Sequence, residues 1–258
     1  MRNPTDSRPT TLVTGASSGI GLAIAERLHA DGHRVIALAR REQHLADLAA
    51  AAQSDRLHTV AADITDRGQV TQALATLPPD FADIDILVNN AGLALGLDSS
   101  AAAAIDDWDT MIDVNCRALV WLTRQVLPRM LERGAGHVIN MGSTAGRYAY
   151  RGSNVYGASK AFVAQFTANL RADLLGTAIR STLIEPGLVG GSEFSNVRFH
   201  GDDDEAASVY AGTEPLLPAD IAAAVAWVVA QPAHVNVNRI ELMPVCQAVD
   251  SISVARHS

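Results

Sequence analysis

The chain is 258 residues long, 48% hydrophobic and 19% charged, which is enough apolar material to close a core and too much for an intrinsically disordered chain. Twenty Lys+Arg against 28 Asp+Glu leave a net charge of -8; such a surface repels a phosphate backbone, so nucleic acid is not an expected partner. The start, Met1 to Thr10, is polar, and the longest apolar run, Ile221 to Ala230, is too short to span a bilayer, so no membrane contact is expected and the location is read as cytoplasmic.

Short apolar runs alternate with segments of helical period along the whole chain, the pattern of βαβ units and a parallel sheet. Strands are expected at Thr11 to Thr14, Arg34 to Ala39, His58 to Ala61, Ile84 to Asn89, His137 to Met141, Arg180 to Ile184 and Arg239 to Met243. Helices are expected near Gly19 to Ala30, Gln43 to Ala52, Gln69 to Leu77, Trp108 to Glu132, Tyr156 to Leu174 and Ala219 to Ala230. The sum is one α/β domain over residues 1–258, with seven parallel strands flanked by helices and a core of small aliphatic side chains, since aromatics make up only 5%. Ala101 to Ala104 leads into a helix that Asp106 and Asp107 can cap and complement. Cys116 and Cys246 are isolated, without metal or disulfide spacing, and are read as buried thiols.

Glu185 to Leu217 breaks the regularity. It holds Gly187, Gly190, Gly191 and the acidic run Asp202 to Glu205, with little strand or helix pattern. A connection this long in a compact domain is usually functional or mobile, and it follows a strand at the sheet edge where α/β proteins bind ligands. It is read as a substrate lid at about 185–217, and its acidic run as a solvated loop.

Thr14-Gly15-Ala16-Ser17-Ser18-Gly19-Ile20-Gly21 joins the first strand to the first helix. Its glycines permit a tight turn and close backbone approach, and the helix N-terminus offers unpaired N–H groups to a diphosphate. Asn89-Asn90-Ala91-Gly92 follows the fourth strand, Ser143 the fifth, Tyr156 and Lys160 make YxxxK, and Pro186-Gly187 follows the sixth. In this order the motifs resemble the short-chain dehydrogenase/reductase family over nearly the whole chain. The resemblance implies a Rossmann-type doubly wound fold, a nicotinamide cofactor and a homotetramer. It implies cofactor contacts from Gly15, Ser17, Ser18, Gly19, Ile20 and Gly21, from Asn90, Ala91 and Gly92, and from Tyr156, Lys160, Pro186, Gly187 and Val189. It also implies a contact from Asp63 and Ile64 to an adenine.

Four residues apart on a helix, Tyr156 and Lys160 share a face. A phenol with an ordinary pKa of about 10 is a poor base near neutrality, and a cation beside it favours the phenolate. Lys160 together with an oxidised nicotinamide is therefore expected to lower the Tyr156 pKa, allowing it to exchange a proton with an alcohol. Ser143 is expected to hold the substrate oxygen, and the resemblance adds Asn115 as a support for Lys160 through a water. At the end of the second strand Ala39 stands where an acidic residue would select NAD, and Arg40-Arg41 follows. A guanidinium matches a phosphate, so NADP is expected, with Arg40 the stronger candidate and Arg41 equally readable as a solvated charge.

Leu87 to Gly96, Glu185 to Phe199, Pro232 to Asn238 and Glu241 to Val245 further resemble the NADP-dependent 3-hydroxy acid dehydrogenases of that family. The resemblance implies a small anionic substrate, either a 3-hydroxy acid of the 3-hydroxypropionate, serine or allo-threonine type or its semialdehyde or ketone. A sulfoacetaldehyde reductase forming isethionate is the alternative, and a non-catalytic NADP-binding protein the rival class. An anion needs a cation near Tyr156; Arg198 leads, with Arg147 and Arg151 divided evenly between substrate contact and salt bridging. The three tryptophans are assigned to packing or subunit contact, no metal site is expected among the eight histidines, and His200 is read as a solvated loop residue.

Overall fold

A computed structural model describes residues 8–248 and 254–256; most of the polar start, residues 1–7, therefore lies outside the described residues. Seven parallel strands form one sheet in the order β3-β2-β1-β4-β5-β6-β7. They are β1 (Thr10–Thr14), β2 (Arg34–Ala39), β3 (Leu57–Ala61), β4 (Ile86–Asn89), β5 (Gly136–Met141), β6 (Ile179–Pro186) and β7 (Arg239–Leu242). Because β1 pairs with both β2 and β4, the strand order reverses beside it. In a doubly wound sheet that reversal opens a crevice at the carboxyl ends of the strands.

Alternation along each strand builds two core layers. Val13, Val35, Ala37, Ile86, Val88 and Ile139 face α1 (Gly19–Ala30), α2 (Glu42–Ala52) and α9 (Pro218–Val229). Their neighbours Leu12, Ile36, Leu38, Leu87 and Val138 face α3 (Arg67–Ala75), α5 (Leu119–Arg133) and α6 (Asn154–Asp173). β1, β2 and β4 are buried along their full length, as expected for strands covered on both faces.

Several expectations change. The single helix expected over Trp108 to Glu132 is α4 (Ile105–Ile112), a π-helical turn over Asp113–Ala118, and then α5. A π turn keeps the apolar pattern nearly continuous, so periodicity does not reveal it. α4 begins after Ala104 with no side-chain cap; Asp106 and Asp107 only place negative charge in its first turn. The segment Glu185 to Leu217 is more ordered than expected: β6 extends to Pro186, and α7 (Phe194–Arg198) and α8 (Asp203–Ser208) follow. Asp202 caps α8, accepting from the Glu205 amide at 2.9 Å, so the acidic run begins a helix. Cys116 and Cys246 are only half-buried.

Candidate active site

A cleft of about 760 Å³ opens at the carboxyl ends of the strands and runs from the β1–α1 turn to α7 and α8. Gly15 and Gly19 adopt left-handed φ of +68° and +53°, a conformation that favours glycine. A Cβ on Gly21 would lie 2.2 Å from the Gly15 carbonyl and 2.4 Å from Asn90 Nδ2, so the turn is too tight for any side chain there. The neighbouring loop is stapled to the turn: Asn90 and Ala91 amides donate to Thr14 Oγ1 at 3.0 and 2.9 Å, and Asn90 Nδ2 donates to the Thr14 carbonyl at 2.9 Å. This glycine cradle, open along one side, fits a dinucleotide diphosphate.

Ser17, Ser18, Ile20, Arg40, Arg41, Asp63, Ile64 and Gly92 line the same end of the cleft. Arg40 is exposed at its edge. Arg41 reaches across, donating to Ser17 Oγ at 3.2 Å and pairing with Glu193 at 2.7 Å, which holds the Glu193 carboxyl below its ordinary range. Asp63 accepts from the Thr65 amide and hydroxyl within its own turn, at 2.9 and 2.7 Å. Pro186, Gly187 and Val189 border the middle of the cleft.

At its far end α6 presents Tyr156 and Lys160, 7% and 6% exposed. Lys160 Nζ donates to the Met141 carbonyl at 3.0 Å and lies 5.9 Å from the centre of the Tyr156 ring. Burial pulls the ammonium down to about 8. It also pushes the Tyr156 phenol up to about 12; a hydrogen bond with Ser143 and the charge of Arg198 oppose that rise, and Tyr150 adds to it. The expected lowering is thus reversed in the protein by itself: desolvation outweighs the cations, so the phenol is held protonated.

Ser143 accepts from the Ala145 amide at 3.2 Å and so caps the turn that aims it at Tyr156. Asn115 sits in the π turn, 1% exposed. It accepts from the Leu93 amide at 2.9 Å and donates to the Leu93 carbonyl and to Ser159 Oγ at 2.8 and 3.0 Å. These bonds occupy its amide, yet a Cβ on Gly92 would meet Asn115 Oδ1 and Lys160 Nζ equally, at 3.2 Å. Asn115 Oδ1 and Lys160 Nζ thus both border Gly92.

The three candidate anion-binding arginines separate. Arg198, at the end of α7, enters the cleft: its Nη2 donates to the Tyr150 hydroxyl at 2.7 Å, and its guanidinium carbon lies 5.5 Å from the centre of the Tyr156 ring. Arg151 lines the wall. Arg147 points away from the cleft and pairs with Glu241 at 3.0 Å, the salt-bridging half of the expectation. His200 does not stand alone, since its Nε2 lies 3.1 Å from Asp107 of α4. Sequence reasoning missed Tyr150, Glu193, Phe194 and Gln247, all of which line the cleft. Gln247 accepts from the Leu188 amide at 2.8 Å from 59 residues away, with no local signal. Tyr150 had one, as an aromatic set among Arg147 and Arg151.

The arrangement can seat a dinucleotide over the glycine turn and hold a small oxygen-bearing substrate between Ser143 and Tyr156. The short chain dehydrogenase family matches residues 9–201. The chain is 53% identical over 245 residues to the NADP-dependent 3-hydroxy acid dehydrogenase YdfG of Escherichia coli (strain K12), covering 95% of this chain and 98% of that protein. It is 46% identical over 249 residues to a serine 3-dehydrogenase of Rhizobium radiobacter, covering 96% of this chain and 99% of that protein. Among solved structures, the closed form of serine dehydrogenase complexed with NADP+ superposes with a TM-score of 0.92 at 52% identity, covering 96% of this chain and all of that one. With the strand order, the glycine cradle and Ser143, Tyr156 and Lys160 all brought together within that match, the chain belongs to the short-chain dehydrogenase family.

Proposed function

We propose that this protein is an NADP-dependent dehydrogenase that interconverts a short 3-hydroxy acid, of the 3-hydroxypropionate, serine or allo-threonine type, and its semialdehyde or ketone. The observation that carries this reading is Arg198, a cation held at the Tyr156 end of the cleft, where an acid group one or two carbons from the reacting carbon would lie. The names of the relatives, 3-hydroxy acid dehydrogenase and serine 3-dehydrogenase, support the same substrate class. The segment 185–217 acts as the lid that carries Arg198.

When bound, NADP(H) supplies the hydride donor or acceptor. The chain does the rest. Ser143 donates to the substrate oxygen, and Tyr156 passes its phenolic proton to that oxygen during reduction or takes it back during oxidation. Lys160 lies beneath the phenol and favours the phenolate whenever that proton is away. Arg40 takes the 2'-phosphate, which only NADP carries. Replacing Arg40 by alanine should therefore weaken NADP about 10- to 150-fold, the worth of a charge-assisted bond, and leave NAD nearly unchanged. Dissociation constants for the two cofactors decide it, and equal weakening would contradict the assignment. The homotetramer implied by the family resemblance is kept in this reading, supported by Phe162, exposed on α6 and stacked on Phe166; light scattering tests it.

Arg198→Ala tests the substrate class. A charge-assisted bond to a carboxylate or sulfonate contributes roughly 1.5 to 3 kcal/mol, so kcat/KM for reducing an anionic semialdehyde should fall about 10- to 150-fold. Reduction of a neutral short aldehyde, which loses no ion pair, should fall clearly less. Equal loss on both would show that Arg198 does not clamp the anion. Loss on neither would move the clamp elsewhere, with Arg151 next to test. A panel of 3-hydroxypropionate, serine, allo-threonine and isethionate with NADP then orders the acids, and saturable NADP binding without turnover of any would identify a non-catalytic binder.

A further inference from the structure

Arg198 is placed by bonds that involve no substrate. Its Nη2 donates to the Tyr150 hydroxyl at 2.7 Å and its Nε to the Gly96 carbonyl at 3.3 Å, while the Gly96 amide donates to the carbonyl of Arg198 itself at 2.8 Å. The guanidinium is thereby wedged between two aromatic rings, 5.6 Å from the centre of Tyr150 and 5.5 Å from that of Tyr156. Lys160 Nζ is 5.9 Å from the centre of the Tyr156 ring. Two cations thus approach the same ring at nearly equal range. Lys160 turns its ammonium toward the Met141 carbonyl, whereas the guanidinium of Arg198 is held against the rings by Tyr150 and Gly96.

We propose that Arg198 is a second electrostatic partner of Tyr156: with the lid closed, its guanidinium stabilises the phenolate that receives the proton of the alcohol, whether or not the substrate carries an anion. The proposal rests on the reading of Tyr156 as the acid/base group. The groups that face the phenol are Lys160 on its own helix, Ser143 after β5, Tyr150 and Arg151 on the following loop, and Arg198 on α7; Phe194 of α7 adds an uncharged ring at 5.8 Å. Of these, Ser143 and Arg198 favour the ionised phenol and Tyr150 opposes it. Since the phenol is buried, a charge at this range is screened far less than one at the surface.

During oxidation the alcohol O–H bond breaks and its proton forms the phenolic O–H of Tyr156. The carbon-bound hydrogen leaves with its electron pair to the oxidised cofactor, and the carbon–oxygen bond becomes double. This direction needs the phenolate; reduction needs the phenol. Reduction is the reverse of this step and leaves the phenolate behind, so loss of a cation that favours the phenolate slows both directions, and by the same factor at a pH where the phenol is protonated with either form of the cofactor. Lid closure and proton affinity become linked, because the residue that closes over the substrate also readies the base.

The test uses the full-length protein with saturating NADP and a neutral short alcohol, propanol or 2-butanol, which offers Arg198 no anion. In the wild type, oxidation should rise with pH through the ionisation of Tyr156. In Arg198→Ala the midpoint for oxidation should move up by about one pH unit, with turnover of the neutral alcohol and of its matching carbonyl slowed together, by up to about 10-fold near neutral pH. Arg198→Lys, which retains the charge, should restore part of the shift. A tyrosinate difference spectrum of the NADP complex should show the same displacement without reliance on turnover. An unmoved midpoint and spectrum in Arg198→Ala would overturn the proposal, leaving Arg198 as an anion clamp alone. Failure of the underlying reading is distinguishable, since it would show as turnover retained by Tyr156→Phe.

Discussion

Tyr156→Phe should lower turnover at least about 10²- to 10⁴-fold in both directions, the usual contribution of a general acid/base group. The substitution removes one oxygen from a side chain that is 7% exposed, leaving a ring that still packs against Phe194 at 5.8 Å. The glycine turn, where the cofactor is anchored, lies at the other end of the cleft. The NADP dissociation constant should therefore change little while kcat collapses. A structural defect would alter both. Because burial pushes the phenol up to about 12, wild-type reduction should stay flat through neutral pH, the acid form being fully populated. Absorbance of NADPH at saturating substrate measures the turnover, and a near-normal kcat in the variant would rule out the mechanism.

Acid should weaken the fold through one histidine. His137, the second residue of β5, is 1% exposed, with its Nε2 2.8 Å from Thr182 Oγ1. Thr182 donates its own hydroxyl proton to the Val237 carbonyl at 2.7 Å, so His137 carries its proton on Nε2 and donates. Its Nδ1 is buried without a partner. Burial, and then the charge of Arg180, pull its pKa from 6.5 to about 3. The native state thus holds the neutral ring where the unfolded chain takes up a proton. Stability from this site is complete above about pH 6.5 and is lost as pH falls toward 3. Between pH 6.5 and 4 the loss amounts to about 3 kcal/mol, near a 150-fold change in the folding equilibrium. His137→Gln keeps a donor for Thr182 and removes the titration, so its stability should fall less over that range by about that amount. Urea unfolding at fixed protein concentration across the pH series checks this, and parallel curves would assign acid sensitivity to other groups.

What the sequence determined by itself is whatever depends on near neighbours along the chain. Alternating periods located all seven strands to within two residues at each end, because a parallel sheet covered on both faces demands short apolar runs joined by helices. Gly15, Gly19 and Gly21 marked the cradle, since a positive φ or a 2.2 Å approach leaves room for no other residue, and a four-residue spacing put Tyr156 and Lys160 on one face. Tertiary structure alone decided what depends on distance through space. Arg198 led Arg147 as the anion-binding candidate, but only the fold shows Glu241 drawing Arg147 away and Tyr150 with Gly96 holding Arg198 over Tyr156. Gln247 reached the cleft from near the end of the chain. The π turn that lodges Asn115 against Leu93 left the apolar pattern nearly intact. The protonation of Tyr156 in the protein by itself likewise turns on burial, because spacing reveals a neighbouring charge but not the desolvation that outweighs it.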